Sequence, residues 1–244
     1  MFDHIHASGR FTASTKEEEA AVDSYMRQSD LLTVTEVDAA ARSKCLAEPG
    51  WNPVFGNKGG RDDCGLSVRK SVFVVQDEGT STLSPLRYRT ERGKLADTTE
   101  AAFAVIREKT TAKVGVVIVV HMPHGMQDEL RTNHIRSDVA KAYRDMVKGI
   151  RKLANRLNKK HNANWTMIVG DWNLNIKSAW VGPYFRVNFP GYSVNFHKPY
   201  PSWGSFGKTL IDLALLRGIK VKKGPNVLPH KAGFDHVGWK QTLG

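Results

Sequence analysis

Apolar residues return along this chain in two rhythms. Between Arg131 and Lys160 the residues Ile135, Val139, Tyr143, Met146, Ile150, Leu153 and Leu157 recur at steps of three and four, the period of a helix with one buried face. Elsewhere the apolar runs are short and β-rich. Leu31 to Val37 predicts a strand that carries Glu36 at its end, and Gly65 to Arg69 and Val72 to Gln76 predict two more. Ala101 to Ile106 and Val114 to Val120 read as a pair of strands around the Lys109-Thr-Thr-Ala turn, and Trp165 to Gly170 as a buried strand running into Asp171-Trp-Asn173. Leu210 to Leu216 is a further strand, with short ones around Ile219 to Lys222 and His236 to Trp239. Two overlapping capping boxes, from Ser14 and Thr15, open a helix of about 15 residues whose apolar face is Ala21, Val22, Tyr25 and Met26. Ala39 to Ala47 is helix-like as well.

Between these elements Pro49 to Gly60 reads as turns, Thr80 to Thr98 as a long loop or irregular hairpin, and the aromatic, Pro- and Gly-rich stretch from Pro183 to Gly207 as loops at strand ends. There is no repeat and no low-complexity segment. Strands followed by helices, with hairpins among them, imply a mixed sheet layered with helices. A chain of 244 residues allows two small domains, but no linker-like stretch divides it, so one domain over 1–244 is expected.

Composition narrows the class. A hydrophobic share of 41% with 6 Trp fills a core, and 25% charged residues suits a soluble surface. The longest apolar run, Val114 to Val120, falls far short of the roughly 18–20 residues of a membrane span. Met1 to His6 shows no secretory signal, and Cys45 and Cys64 make neither a disulfide framework nor a Cys-x-x-Cys site, so a reducing cytoplasm is the expected compartment. The compact form without a visible leader would also suit a phage or mobile-element protein.

Charge changes the picture more. With 36 Lys and Arg against 24 Asp and Glu the net charge is +12, which favours a polyanionic partner: nucleic acid, an anionic membrane surface or a phosphorylated small molecule. The Arg131–Lys160 helix carries ten basic residues and two acids, Asp138 and Asp145, so its outer face is cationic. The plain alternative is a solvated helix face.

Titratable or polar groups stand at the ends of five of the strand-like runs: Glu36, His121, Asp171 with Asn173, Asp212, and Asp235 with His236. Any one of them has an ordinary reading as a cap, a surface group or a histidine satisfying a carbonyl. Together they point to a hard, oxygen-liganded cation such as Mg²⁺ or Mn²⁺, with histidines able to share acid and base work near neutral pH.

The order of these motifs resembles the endonuclease/exonuclease/phosphatase superfamily, the deoxyribonuclease I-like proteins. Ile168-Val-Gly-Asp-Trp-Asn173 is similar to the family's strand-terminal Gly-Asp-Phe-Asn, and Thr35-Glu-Val37 to its Gln-Glu-Val. Val119-Val-His-Met-Pro123 resembles the strand ending in a catalytic His, Ile211-Asp-Leu213 the late Asp strand, and Phe234-Asp-His-Val237 the terminal Ser-Asp-His. The resemblance implies an α/β (α+β) fold, a four-layer α/β/β/α sandwich of two mixed, mainly antiparallel sheets. It also implies a set of roles. Glu36 and Asp235 would bind the cation, Asn173 would hold a phosphate oxygen, and Asp171 would orient or deprotonate the attacking water. His236, oriented by Asp212, would act as base or transition-state stabiliser, and His121 would serve the leaving side with Asp62 or Asp63 as its partner.

Two departures stand out. The family's first strand carries an Asn near the metal, whereas Phe2 to Ser8 has none, so Asp3, His4 or His6 substitutes or the alignment slips. His121 stands where the abasic-site repair branch has a Tyr-type residue. His4, His6 and Trp203 are expected to touch substrate, His124 either to touch it or to be a loop histidine without a role, and Trp180, Tyr184, Tyr200 and Trp203 either to stack on bases or to pack their own loops. Lys208, Arg217, Lys220, Lys222, Lys223, Lys231 and Lys240 would rim the site. The resulting expectation is a metal-dependent phosphodiesterase, a DNA endonuclease ahead of one acting on RNA. Its rivals are an enzyme acting on a small phosphorylated ligand or lipid headgroup, and a nucleic-acid-binding protein of the same fold with weakened turnover.

Overall fold

The computed structural model describes residues 1–8, 15–36, 48–55, 64–89, 95, 99–123, 126, 137–176, 178–195, 211–228 and 238–244. Along the chain the strands are β1 (Phe2–Ser8), β2 (Leu31–Thr35), β3 (Trp51–Phe55), β4 (Cys64–Arg69), β5 (Phe73–Thr82), β6 (Glu100–Glu108), β7 (Val114–His121), β8 (Trp165–Asp171), β9 (Ser193–Asn195), β10 (Asp212–Arg217), β11 (Val221–Val227) and β12 (Trp239–Leu243). The helices are α1 (Thr15–Arg27), α2 (Ser137–His161) and α3 (Val181–Asn188).

The strands form two six-stranded sheets, ordered β11-β12-β1-β2-β4-β3 and β5-β6-β7-β8-β10-β9. Each contains one parallel pair, β1 with β2 and β7 with β8, and the other pairings are antiparallel. A parallel pair needs a crossover, and α1 and α2 supply the two. Alternation along the strands sorts the core into three layers. Between the sheets lie Phe2, Leu31, Leu66, Val117, Val119, Met167, Val169, Ala214 and Trp239. Under α2 lie Ile118, Val120, Ile168, Leu213 and Leu215, met by Tyr143, Met146, Ile150 and Leu157. Under α1 lie Ile5, Leu32 and Val34, met by Val22, Tyr25 and Met26. The result is the expected four-layer α/β/β/α sandwich.

Some segments differ from the sequence expectation: β5 runs on to Thr82, into the stretch expected as a loop, and the last strand covers Trp239–Leu243. The stretch predicted as turns contains β3, in which Pro53 is tolerated because β3 is an edge strand paired only with β4. The region predicted as loops past Pro183 contains α3 and β9. Pro183 stands in the first turn of α3, where an N–H has no intrahelical acceptor to lose. The helix-like stretch 39–47 lies outside the described residues. No described helix is long and apolar enough to cross a membrane.

Candidate active site

Register brings the expected residues together. In the second sheet His121 closes β7, Asp171 closes β8 and Asp212 opens β10, and they stand opposite one another, His121 to Asp171 and Asp171 to Asp212. Period-two alternation turns all three toward the facing sheet, on the same side as Val119, Val169 and Ala214. Backbone bonds lock the level: Met122 N–H donates to Asp171 O at 2.8 Å, and Trp172 N–H to Ile211 O at 2.9 Å. Gly170 permits this closeness. Its φ is +151°, and a Cβ there would come within 1.8 Å of Val120 O.

Glu36 enters from the first sheet, directly after β2. Its φ of 59° is left-handed, a conformation that costs a residue with a Cβ and is often found at functional sites. The Glu36 Oε1 lies 3.6 Å from His121 Nε2, and Asp171 Oδ2 lies 3.8 Å from the same nitrogen. One imidazole therefore stands between two carboxylates, one from each sheet, at the open end of the sandwich. His121 and Glu36 keep 19% and 18% of their side-chain exposure, while Asp171 keeps 3%.

Asn173 is the second left-handed residue of the site, with φ 48°. Its N–H donates to Asp171 Oδ1 at 2.8 Å and its side-chain amide to Met122 O at 2.7 Å, so it clasps the ends of β7 and β8. The residue between the two polar ones points the other way. Trp172 is fully buried, edge-on to Phe185 and Phe189 of the α3 region. Tyr143 of α2 donates to Trp172 O at 2.7 Å, and burial pushes its phenol well above the ordinary tyrosine range, keeping it a donor.

Asp212 is fully buried, and His6 Nε2 of β1 faces its Oδ1 at 3.5 Å. His6 Nδ1 lies 2.9 Å from Thr33 Oγ1, and the same hydroxyl lies 2.9 Å from His4 Nε2. Gln241 Nε2 donates to His4 Nδ1 at 3.1 Å, and Asn195 Nδ2 donates to Gln241 Oε1. Burial, helped by neighbouring His6, holds His4 well below the usual histidine range, so it is neutral.

These positions correct several expectations. His4 and His6 are fully buried between the sheets, so they face internal partners and not substrate, and neither ends the first strand. By register Ser8 ends it, opposite Thr35, the residue preceding Glu36. The carboxylates described beside His121 are Glu36 and Asp171, while Asp62 and Asp63 lie outside the described residues. Arg217, Lys220, Lys222 and Lys223 belong to the opposite end. Arg217 pairs with Thr166 at the start of β8, and Val221 with Leu243, which pairs with Phe2 at the start of β1. Lys240 is bound to Asp3 at 2.8 Å and to Gln28 O at 2.6 Å. Trp180 and Tyr184 pack edge-to-face at 5.8 Å. His124, Lys208, Tyr200, Trp203, Lys231, Asp235 and His236 lie outside the described residues, so the pairing of Asp212 with His236 does too.

The basic helix is as expected over Ser137–His161, while Arg131, Ile135 and Arg136 lie outside the described residues. Lys141, Arg144, Lys148, Arg151, Lys152, Arg156, Lys159 and Lys160 are exposed on α2. That face points away from the inter-sheet interior, because the opposite side of α2 covers the outer face of the second sheet. Thr33, Gln241 and Asn195 were not singled out from sequence, and Tyr143 was read only as part of a buried helix face. The spacing of His4 and His6 two apart on one strand was the available signal, since it puts both on one face.

Among the described residues no three His, Cys, Asp or Glu side chains gather as a metal site. Glu36 and Asp171 nonetheless offer carboxylate oxygens to one space, the donor chemistry of Mg²⁺ or Mn²⁺ and not of a thiolate-bound zinc.

No protein-family model and no curated relative matches the sequence. Solved structures do match along the whole chain. A mannosyl-6-phosphatase of Bacteroides thetaiotaomicron superposes with a TM-score of 0.71 at 13% identity, covering 100% of both chains. An endonuclease/exonuclease/phosphatase from Bacteroides vulgatus gives 0.72 at 14% identity, covering 100% of this chain and 98% of its own. D. rerio TDP2 complexed with a single-strand DNA product gives 0.64 at 12% identity over 99% and 98%. At such identities the likeness speaks for architecture, and with the two mixed sheets and their in-register strand ends it establishes that this chain has the endonuclease/exonuclease/phosphatase fold, the deoxyribonuclease I-like sandwich.

Proposed function

We propose that the protein is a divalent-metal-dependent phosphodiesterase acting on nucleic acid, with DNA endonuclease activity foremost. The observation that carries this reading is the meeting of Glu36, His121 and Asp171 from two sheets at one open end, with Asp212 in register beside them. An attacked phosphodiester gains negative charge on its equatorial oxygens, and aimed donors stabilise that state more than the ground state.

Glu36 would hold the cation together with Asp235, and the bound cation would neutralise developing charge on the phosphate. Asp171, whose Oδ1 is already engaged by Asn173 N–H, would orient the attacking water or take its proton. Asn173 would hold a non-bridging oxygen, and His121 would donate toward the leaving oxygen. Asp212 would orient His236 as base or transition-state stabiliser.

The test is plasmid nicking by the intact chain with Mg²⁺ or Mn²⁺, with EDTA, and with His121→Ala and His236→Ala. Nicking that needs the metal and is lost in both variants is expected. DNA and RNA left whole under all conditions would sink the nuclease reading, and cleavage that survives EDTA would sink the metal.

A second reading rests on where the charge lies. The cationic side chains of α2 and of the Arg217–Lys223 segment do not line the space between Glu36 and Asp171, which favours a small phosphorylated ligand or lipid headgroup. Release of inorganic phosphate from sugar or inositol phosphates, with plasmid untouched, would establish that alternative.

A further inference from the structure

Six polar side chains form one continuous line between the sheets, half-buried Asn195 on β9 and fully buried Gln241 on β12, His4 on β1, Thr33 on β2, His6 on β1 and Asp212 on β10. It leaves the second sheet at Asn195, runs through the first, and returns to the second at the site. We propose that this line is a one-way chain of donors that ends on the Asp212 carboxylate, and that His6 is the positioning residue which sets Asp212. The inference deepens the phosphodiesterase reading, on which its functional consequence rests.

Direction follows from donor and acceptor capacity. Gln241 Nε2 can only donate, so His4 Nδ1 accepts and the His4 proton sits on Nε2. His4 Nε2–H then donates to Thr33 Oγ1. The hydroxyl has one proton to give. Its candidate acceptors are His6 Nδ1 at 2.9 Å and Ile5 O at 3.5 Å, and the shorter contact takes it. His6 Nδ1 accordingly accepts, which leaves its proton on Nε2, aimed at Asp212 Oδ1.

At 3.5 Å this last link is an electrostatic contact longer than an ordinary hydrogen bond. Among the described residues His6 Nε2 has no hydrogen-bond partner, so the carboxylate is what it faces. A buried carboxylate facing such a partner is held in one rotamer. Two of the six members are carboxamides, which hold a proton order but do not readily pass protons along, so the chain orients and does not conduct. Its role matches that of the outer partner which fixes a histidine's tautomer at a catalytic centre, here reversed so that a histidine fixes an acid.

The experiment is long-range ¹H–¹⁵N NMR of the histidines in the full chain, with Thr33→Val and Thr33→Ser as variants. In the wild type His4 and His6 should both be Nε2–H tautomers, and the Asp212 carboxyl group should give a single ¹³C signal. Val keeps the volume of Thr33 but removes the hydroxyl. His6 should then populate both tautomers and the Asp212 signal should shift, with kcat falling roughly 10-fold or more at unchanged KM. Ser should restore all three. An Nδ1–H tautomer at His6 in the wild type, or a Thr33→Val variant with wild-type His6 and Asp212 signals, overturns the chain. A wild-type protein without phosphodiesterase activity would remove the functional reading, and the tautomer and carboxyl signals would still decide the inference.

Discussion

The two crossover units of the sandwich are built alike and loaded differently. In β7–α2–β8 the inner face is apolar, with Val117, Val119, Met167 and Val169, and polarity is kept for the final residues His121 and Asp171. In β1–α1–β2 the same inner face carries His4, His6 and Thr33 into the interior. At the strand ends His121 keeps partial exposure, as does Glu36 beside it, and such groups can be completed by substrate or cation. Interior groups cannot, and each needs a partner supplied by the fold. That is why Gln241, Asn195 and Asp212, from three further strands, converge on β1 and β2. One unit presents chemistry, while the other braces it.

The largest effect expected of breaking this contrast is on turnover. Asp171→Asn keeps an acceptor for Asn173 N–H, so the fold and Tm should hold while plasmid nicking falls on the order of 10²–10³-fold. Near wild-type nicking would remove Asp171 from the chemistry. On the bracing side the loss should be of stability. His6→Leu removes the imidazole that faces buried Asp212, and urea unfolding should show a loss of about 1–3 kcal/mol. Adding Asp212→Leu should recover most of it, since paired removal leaves no buried charge behind. If the double variant is as unstable as the single, the two side chains are not coupled.

A smaller effect concerns pH. Unfolded His4 takes up a proton near its ordinary pKa of about 6.5, whereas folded His4, buried among Thr33, Gln241, Trp239 and His6, resists until well below that. The unfolded state therefore binds more protons in that window. Stability from this group should be level above about pH 6.5 and decline below it by up to about 1.4 kcal/mol per pH unit. Urea midpoints measured from pH 8 to 5 should show the decline, and His4→Gln should flatten it. The smallest effect is expected at the far end, where Lys220→Ala, Lys222→Ala and Lys223→Ala together should leave turnover within about twofold, because exposed charges beyond a Debye length are screened. A large loss would place substrate across that end.

The elements were mostly legible because burial writes periodicity into sequence. The α2 stripe, the β7 and β8 runs and the first helix's Ala21, Val22, Tyr25 and Met26 all fell on buried faces. The stretches 49–60 and 183–207 misled because their density of Pro and Gly reads as turns and loops, while an edge strand and a first helical turn both tolerate proline. The strand-end residues Glu36, His121, Asp171 and Asp212 were legible because a titratable group closing an apolar run is unusual. The reading of Lys220, Lys222 and Lys223 as a rim was not sound, since charge has no address until strand direction is known.

What the sequence by itself determined is therefore the set of buried faces and the polar residues that interrupt them, both local properties of side-chain type and spacing. Only the tertiary structure decided which interruptions meet. Register placed Asp171 between His121 and Asp212, sheet packing brought Glu36 across to His121, and the same packing turned His6 inward onto Asp212. Those meetings depend on pairings between strands far apart in the chain, and a one-residue shift in any of them would send each side chain to the opposite face.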